Sequence, residues 1–437
     1  MNRRQFLHRT AVASSVFASA PFIFAAEPGR KFRTALIGSG WWGKNILKEA
    51  MTSKRCTIVA LADVDGNGLE IAGEQVNDLC GDTPKLYRDY RELLAKEKPD
   101  IVIIATPDHW HALNTIDALK AGAHVFLEKP TGHTINESKA IVKAARECGR
   151  VVQVGLHRRI GPHHVSGMKF LKSGAVGEVG MVRLFAHSGG GAEKPSMNEA
   201  APDSMDWEMW CGPAPKRPFT KKLHPGGWRN FLDYANGTFG DWGVHWLDQV
   251  LWWSGEPGPK RVFCAGARPI AGAPILNDKE QTTDAPDHQV ATYEFEKFTC
   301  VWEHRKFGGN DNEKHKIGAY FYGTNGVLHI GWRDGWTFYP TAKGGKIEHV
   351  DSQLQEPDGH NLTLLWADFL EAIDSRRAPV AGIELAHRAT TMPLLGMISW
   401  RTGRSLAWDA SKEEIVGDAE ATKLMARPYR APWVYPA

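Results

Sequence analysis

The strongest constraint on how this chain folds is a glycine-rich turn set between a strand and a helix. Phe32 to Ile37 reads as a buried strand, Gly38-Ser39-Gly40-Trp41-Trp42-Gly43 follows without a break, and Lys44 to Met51 has helical character. In such a turn the first glycine makes the tight bend, the second lets the backbone approach a pyrophosphate, and the third allows close packing of helix on strand. Amide groups at the helix N-terminus stabilise the phosphate charge. A second strand, Thr57 to Ala62, ends at Asp63, twenty residues after Gly43. An acid there accepts ribose hydroxyls and repels a ribose 2′-phosphate, so the expected cofactor is NAD rather than NADP.

The strand–helix alternation then repeats. Helices are expected near Leu69–Asn77 and Arg88–Ala95, and Ile101–Ala105 is a wholly apolar strand of the kind found at the centre of a parallel sheet. It runs into Thr106-Pro107-Asp108-His109-Trp110-His111, then a helix stopped by Gly122. The strand His124–Lys129 ends in Glu128-Lys129-Pro130, where proline has no N–H to give a ladder. Ligands of open α/β sheets bind just beyond the carboxyl ends of strands, which is where this puts the Lys129 ammonium. A capping box, Thr134 with Glu137, opens a helix to Cys148, and Val151–Val154 is one more strand. The order reads as a doubly wound parallel sheet, a Rossmann domain over residues 30–155.

Residues 156–437 change pattern. A helix at Val165–Lys172 and a strand at Met181–His187 precede an irregular Gly-, Pro- and Trp-rich region, 188–238, read as a functional loop over a cleft. Strands then follow one another without helices between them, which points to an antiparallel or mixed sheet, and helices at Asn361–Asp374 and Ile383–Thr402 close the chain. Between loop and sheet lies Asp241-Trp-Gly-Val-His245-Trp-Leu-Asp248, expected on one helix from Asp241 to Trp253. Residues four apart share a helix face, and a carboxylate beside an imidazole orients it and raises its basicity. His245 so held can take a proton from a hydroxyl; a capped helix with a satisfied histidine is the plain alternative. Trp228, with Arg229 and Tyr234 nearby, is the candidate wall for a sugar face. His157, Arg158 and Arg159 follow the last strand of the first sheet, where a substrate cleft opens.

Charge narrows the partners. Arg3-Arg4-Gln5-Phe6-Leu7 is a twin-arginine pattern, and an Ala- and Ser-rich apolar run follows to Ala26. Residues 1–26 are therefore read as an export leader, which puts the mature protein in the periplasm. Removing the leader's three arginines from the 53 Lys and Arg leaves 50 basic against 50 acidic residues, a balance that argues against nucleic acid as a partner. No later stretch has the character of a membrane span. Six cysteines without a Cys-x-x-Cys pair permit disulfides of unreadable connectivity and argue against a thiolate zinc site. His109-Trp-His111 and His163-His164 lack the spacing of a closed metal site, so no metal is expected.

Four separated motifs occur together in this order: the strand–Gly38-x-Gly40-x-x-Gly43 turn, Thr106-Pro107-Asp108-His109, Glu128-Lys129-Pro130 and Asp241-x-Gly-x-His245. In these the mature chain resembles the glucose–fructose oxidoreductase / inositol dehydrogenase / rhizopine catabolism family, Gfo/Idh/MocA. The resemblance implies a C-terminal α/β domain with a large open, mostly antiparallel sheet through which the protein forms a homo-oligomer. It implies a small carbohydrate substrate whose secondary alcohol is oxidised or reduced with NAD. It makes Lys129, Asp241 and His245 the catalytic set, with His245 as base, Lys129 stabilising the alkoxide, Asp241 orienting them, and Asp248 as a fallback partner. The turn Gly38 to Gly43, Asp63, Thr106 to His109, and Glu128 with Lys129 become the cofactor site. His157, Arg159, Trp228, Arg229 and Tyr234 become candidate substrate contacts. Relatives of this kind also cleave glycosides without net redox change, by transient oxidation with tightly held NAD. Export, which removes a protein from free NAD, suits that alternative; a non-catalytic sugar- or nucleotide-binding protein is a third.

Overall fold

Six short segments of the N-terminal half pair side by side into one parallel sheet. They are β1 (Phe32–Ile37), β2 (Cys56–Ala62), β3 (Lys85–Tyr87), β4 (Ile101–Ile104), β5 (His124–Leu127) and β6 (Val152–Val154), in the order β3-β2-β1-β4-β5-β6. Between them run α1 (Trp41–Thr52), α2 (Gly66–Cys80), α3 (Tyr90–Glu97), α4 (His111–Lys120) and α5 (Ile135–Cys148). The computed structural model describes residues 31–310, 313–354 and 357–436, and the leader expected over residues 1–26 lies outside them. The strand order reverses between β1 and β4, the switch point at which such sheets bind ligands. β4 is wholly buried, as its unbroken apolar sequence requires. β5 stops at Leu127, two residues before the expected end. The Glu128 N–H still donates to Ile104 (2.9 Å), but the Lys129 N–H turns to the Glu128 carboxylate (3.2 Å) instead of the ladder.

The second half adds α6 (Pro162–Lys172), β7 (Val179–His187), β8 (Ser196–Met197), α7 (Trp207–Cys211), a π-helical turn at Phe239–Gly243 and α8 (Val244–Ser254). Then come β9 (Arg261–Ala267), β10 (Glu280–Gln281), β11 (His288–Glu294), β12 (Thr299–Arg305), β13 (Ile317–Gly323), β14 (Gly326–Gly331), β15 (Trp336–Pro340) and β16 (Glu348–Val350). The chain ends with α9 (Pro357–Ser375), α10 (Ile383–Thr402), β17 (Leu406–Asp409), β18 (Glu414–Val416) and α11 (Ala419–Lys423). Ten of these strands form one sheet, β16-β15-β14-β13-β7-β12-β11-β9-β17-β18, antiparallel except where β7 lies parallel to β12. Alternation along β12 buries Cys300, Trp302 and His304, and α8 and α10 pack on that face. Helix α9 bridges to the first sheet through Trp366 and Phe369, whose rings lie 5.5 and 5.8 Å from that of Phe126. Burying each such ring stabilises the fold by about 2–3 kcal/mol. A continuous apolar core thus joins the two sheets.

The region between Ser188 and Thr238 is not an open loop. It builds a small core of its own, in which Trp207 stacks on Trp210 (4.5 Å, 11°) and Phe219, Phe231 and Tyr234 are buried around them. The C-terminal segment folds back over the first domain. Arg427 Nε donates to Glu137 Oε1 (2.9 Å), Tyr429 donates to the same oxygen (2.8 Å), and Trp433 packs edge-on against Trp110 (4.7 Å). All six cysteines are free thiols.

Candidate active site

β1 delivers the chain into the switch point, and the glycines do what their spacing requires. Gly38 has φ +94°, and a Cβ there would stand 2.7 Å from the Ala105 carbonyl carbon; a Cβ on Gly43 would stand 2.1 Å from Gly38 O. A Cβ on Gly40 would meet nothing within 4 Å, so this position faces open space. Gly40 caps α1, whose first turn carries no acid to offset its positive end. Asp63 accepts from the Ser39 N–H (2.6 Å), the Ser39 hydroxyl (2.9 Å) and the Asp65 N–H (3.0 Å), which fixes the turn against the end of β2. A cleft of about 380 Å³ opens over these groups. Gly38 to Trp42, Asp63, Thr106 and Pro107 line one side; His224 to Gly226, Trp228 and Arg229 line the other. A helix start without a side-chain cap, a glycine facing open space and an acid at the second strand end fit a dinucleotide.

Lys129 reaches across to the second half. Its Nζ donates to Asp241 Oδ1 (2.5 Å) and to the Asp241 carbonyl (3.2 Å), while Arg229 Nε lies 3.6 Å from the same carboxylate. Burial pushes the Asp241 carboxyl up, but Lys129 and Arg229 outweigh it and hold the group below the usual carboxylate range. Asp108 and Glu128, assigned above to the cofactor, are buried beside Lys129 and are not among the residues lining the cleft. Burial raises Asp108 to about 8 and Glu128 to about 7, against the opposing pull of Lys129. Glu128 Oε1 has no hydrogen-bond partner among the described residues.

The expected coupling of Asp241 to His245 is corrected. The π-helical turn Phe239–Gly243 widens the spiral just before α8, so four-residue spacing no longer stacks these side chains as in a regular helix. Asp241 goes to Lys129, and His245 Nδ1 has no hydrogen-bond partner among the described residues. Burial, with Arg158, Lys129 and His157 adding to it, holds the His245 imidazole well below its ordinary value. It is neutral at pH 7 and less basic than free histidine, the opposite of the sequence expectation. His157 lies beside these groups, its ring 5.2 Å from that of His245 and 6.3 Å from that of Trp42.

Four assignments do not hold. Arg159 is 6% exposed and bidentate on Asp248, which is 1% exposed, with contacts of 2.7–2.9 Å, so neither is spare for a substrate or for His245. Tyr234 is fully buried, its hydroxyl donating to Pro215 O (3.0 Å) and accepting from Arg217 N (3.2 Å). His109 is likewise buried, with Nε2 on Trp210 O (3.0 Å). Trp228 and Arg229 stay at the cleft, the guanidinium 4.3 Å from the indole. Sequence reasoning missed Lys306, just past β12. It bonds Asn230, and its charge helps lower Asp241. Nothing in its local sequence marks it.

A family model described as "Oxidoreductase family, NAD-binding Rossmann fold" matches residues 32–156, and its companion, "Oxidoreductase family, C-terminal alpha/beta domain", matches 176–263 and 308–435. The chain is 23% identical to D-glucoside 3-dehydrogenase of Escherichia coli K12 over 373 residues, 82% of this chain and 93% of that one. It is 35% identical to a glycosyl hydrolase family 109 protein of Stenotrophomonas maltophilia over 157 residues, 34% of each chain. Another relative is matched over 63% of its own length. The structure of a levoglucosan dehydrogenase in complex with NADH and levoglucosan superposes with a TM-score of 0.66 at 19% identity, over 86% of this chain and 99% of that one.

Proposed function

Since the chain belongs to the Gfo/Idh/MocA family of NAD-binding oxidoreductases, we propose that it transfers hydride between NAD and a secondary alcohol carbon of a sugar, glycoside or cyclitol. The observation that carries this reading is the Lys129–Asp241 pair, joined to the dinucleotide cleft through Arg229, which lines the cleft and lies 3.6 Å from Asp241. It holds a cation where an alcohol oxygen would gain negative charge. Bound NAD supplies the hydride acceptor. Lys129 stabilises the developing alkoxide. Asp241 holds the ammonium in place through its carboxylate and its carbonyl. His245 takes the hydroxyl proton on Nδ1, the nitrogen left without a partner. Trp42 and Trp228 offer flat apolar walls for a sugar face. The names of the glucoside and levoglucosan dehydrogenases support a carbohydrate substrate. The three groups together weigh against a non-catalytic binding protein. The proposal extends to export, supported by Arg3-Arg4-Gln5-Phe6-Leu7, and to a homo-oligomer through the C-terminal sheet.

Redox-neutral glycoside cleavage is the second reading. It is favoured by the segment His224–Arg229, which lines the cleft and would oppose cofactor exchange if it closed on a bound dinucleotide, and by the glycosyl hydrolase relative. One experiment separates the two. Protein purified from cells is freed of small molecules by gel filtration and assayed on free sugars, cyclitols and glycosides, with and without added NAD. NADH formed from supplied NAD supports the dehydrogenase. Glycoside cleaved with no cofactor added and no net NADH supports the second reading. Protein that binds NAD and turns over none of these overturns both.

A further inference from the structure

Far from the cleft in sequence, the hairpin β13–β14 and the turn after it bring two histidines and an aspartate together. His315 lies just before β13, His329 within β14, and Asp334 in the turn to β15. One ligand atom from each lies within 4.8 Å of the others. The imidazoles of His315 and His329 stack, with centroids 3.6 Å apart, and His315 Nδ1 contacts Asp334 Oδ2. His329 is fully buried, yet neither of its ring nitrogens has a hydrogen-bond partner among the described residues, nor has His315 Nε2. A buried polar atom left unsatisfied costs about 1–3 kcal/mol. A simple His315–Asp334 ion pair accounts for one contact and leaves all three nitrogens unexplained.

Two glycines keep the donor atoms approachable. Gly318 and Gly331 pair across β13 and β14. A Cβ on Gly318 would stand 2.9 Å from His329 Nε2, and one on Gly331 would stand 1.8 Å from Asp334 Oδ1. We propose that His315, His329 and Asp334 bind a divalent first-row transition metal such as Zn²⁺. Two imidazoles and one carboxylate suit such ions and leave positions for water. With metal–ligand bonds of about 2.1 Å the ligand atoms stand roughly 3.4 Å apart in a tetrahedral site. The widest-set pair must therefore close by up to about 1.4 Å, and Asp334, 45% exposed on a turn, is the ligand with room to move. The same turn packs Trp332 against Trp242, ring centroids 5.1 Å apart, next to Asp241. The ion would be a structural brace behind the catalytic turn, not a participant in hydride transfer.

The test uses the whole protein, stripped with a chelator and gel-filtered, then titrated with Co²⁺ and with Zn²⁺. One Co²⁺ per chain is expected, with a visible spectrum of nitrogen and oxygen ligands that Zn²⁺ abolishes. D334A removes an exposed ligand and is expected to weaken Co²⁺ binding at least about tenfold, without changing the melting temperature of the metal-free protein. H329Q is the second variant and should lose the spectrum. No stoichiometric metal uptake by the wild type would assign the ring nitrogens to ordered water and overturn the proposal. So would unchanged binding in D334A.

Discussion

The glycine turn permits a test in which folding and cofactor binding come apart at neighbouring positions. In Gly43→Ala the new methyl would sit 2.1 Å from Gly38 O, whereas real Cβ contacts stay beyond 3.0 Å. Strand end and helix must then separate by about 0.9 Å, and overpacking of this kind costs about 1–3 kcal/mol or more. In Gly40→Ala the methyl meets no protein atom within 4 Å, and the residue has φ −63° and ψ 177°, which alanine adopts freely. Its cost is limited to a poorer helix N-cap, about 1 kcal/mol. Yet the methyl projects where a pyrophosphate must approach the amides of α1, so NAD affinity should fall at least tenfold, about 1.4 kcal/mol. Thermal melting and calorimetric NAD titration on the same preparations decide it. Gly40→Ala binding NAD within twofold of wild type would refute the placement of the pyrophosphate. Equal destabilisation by the two variants would refute the geometry.

Lys129→Ala and His245→Ala should each lower turnover by at least about a hundredfold while NAD still binds; near-normal rates on an identified substrate would remove them from the mechanism. His245 must be neutral to accept a proton, and its folded value lies below 6.5. The acid limb of alcohol oxidation should therefore fall below pH 6.5, with activity present above it and lost as pH drops through the folded value; a limb centred above 6.5 would disprove His245 as the base. Asp248→Ala leaves the buried Arg159 guanidinium without its counter-charge and should destabilise the fold by about 3–5 kcal/mol in denaturant titration. A change under about 1 kcal/mol would return Arg159 to the list of substrate contacts.

The parts of the site that could be read in advance are those whose function fixes a local pattern. Gly38, Gly40 and Gly43 are legible because steric need ties them to one spacing, and Lys129 because Pro130 ends the strand beside it. Asp241 and His245 stand out in the sequence, but their relation does not, since a π-helical turn leaves no mark on four-residue spacing. Tyr234 looked available because a polar aromatic in a Gly- and Pro-rich region suggests a pocket, and His109 because it belongs to the Thr106–His109 motif. Only the packed core around Trp207 and Trp210 shows them to be interior. Lys306 and the pairing of Arg159 with Asp248 depend on contacts across long sequence separations, which no window along the chain contains. The strands β3, β8, β10 and β16 are two or three residues long, too short for alternation to register.

Glu137 is fully buried and serves both ends of the chain's history. Its Oε2 accepts the His133 and Thr134 amides at the start of α5, and its Oε1 waits for Arg427 and Tyr429, some 290 residues later. During vectorial synthesis the nucleotide-binding half leaves the ribosome long before that counter-ion has been made. It therefore reaches its final form only once Arg427 and Tyr429 have been made and can bond that carboxyl oxygen. A chain cut short of Arg427 leaves Glu137 Oε1, buried inside the nucleotide-binding half, without either of these partners.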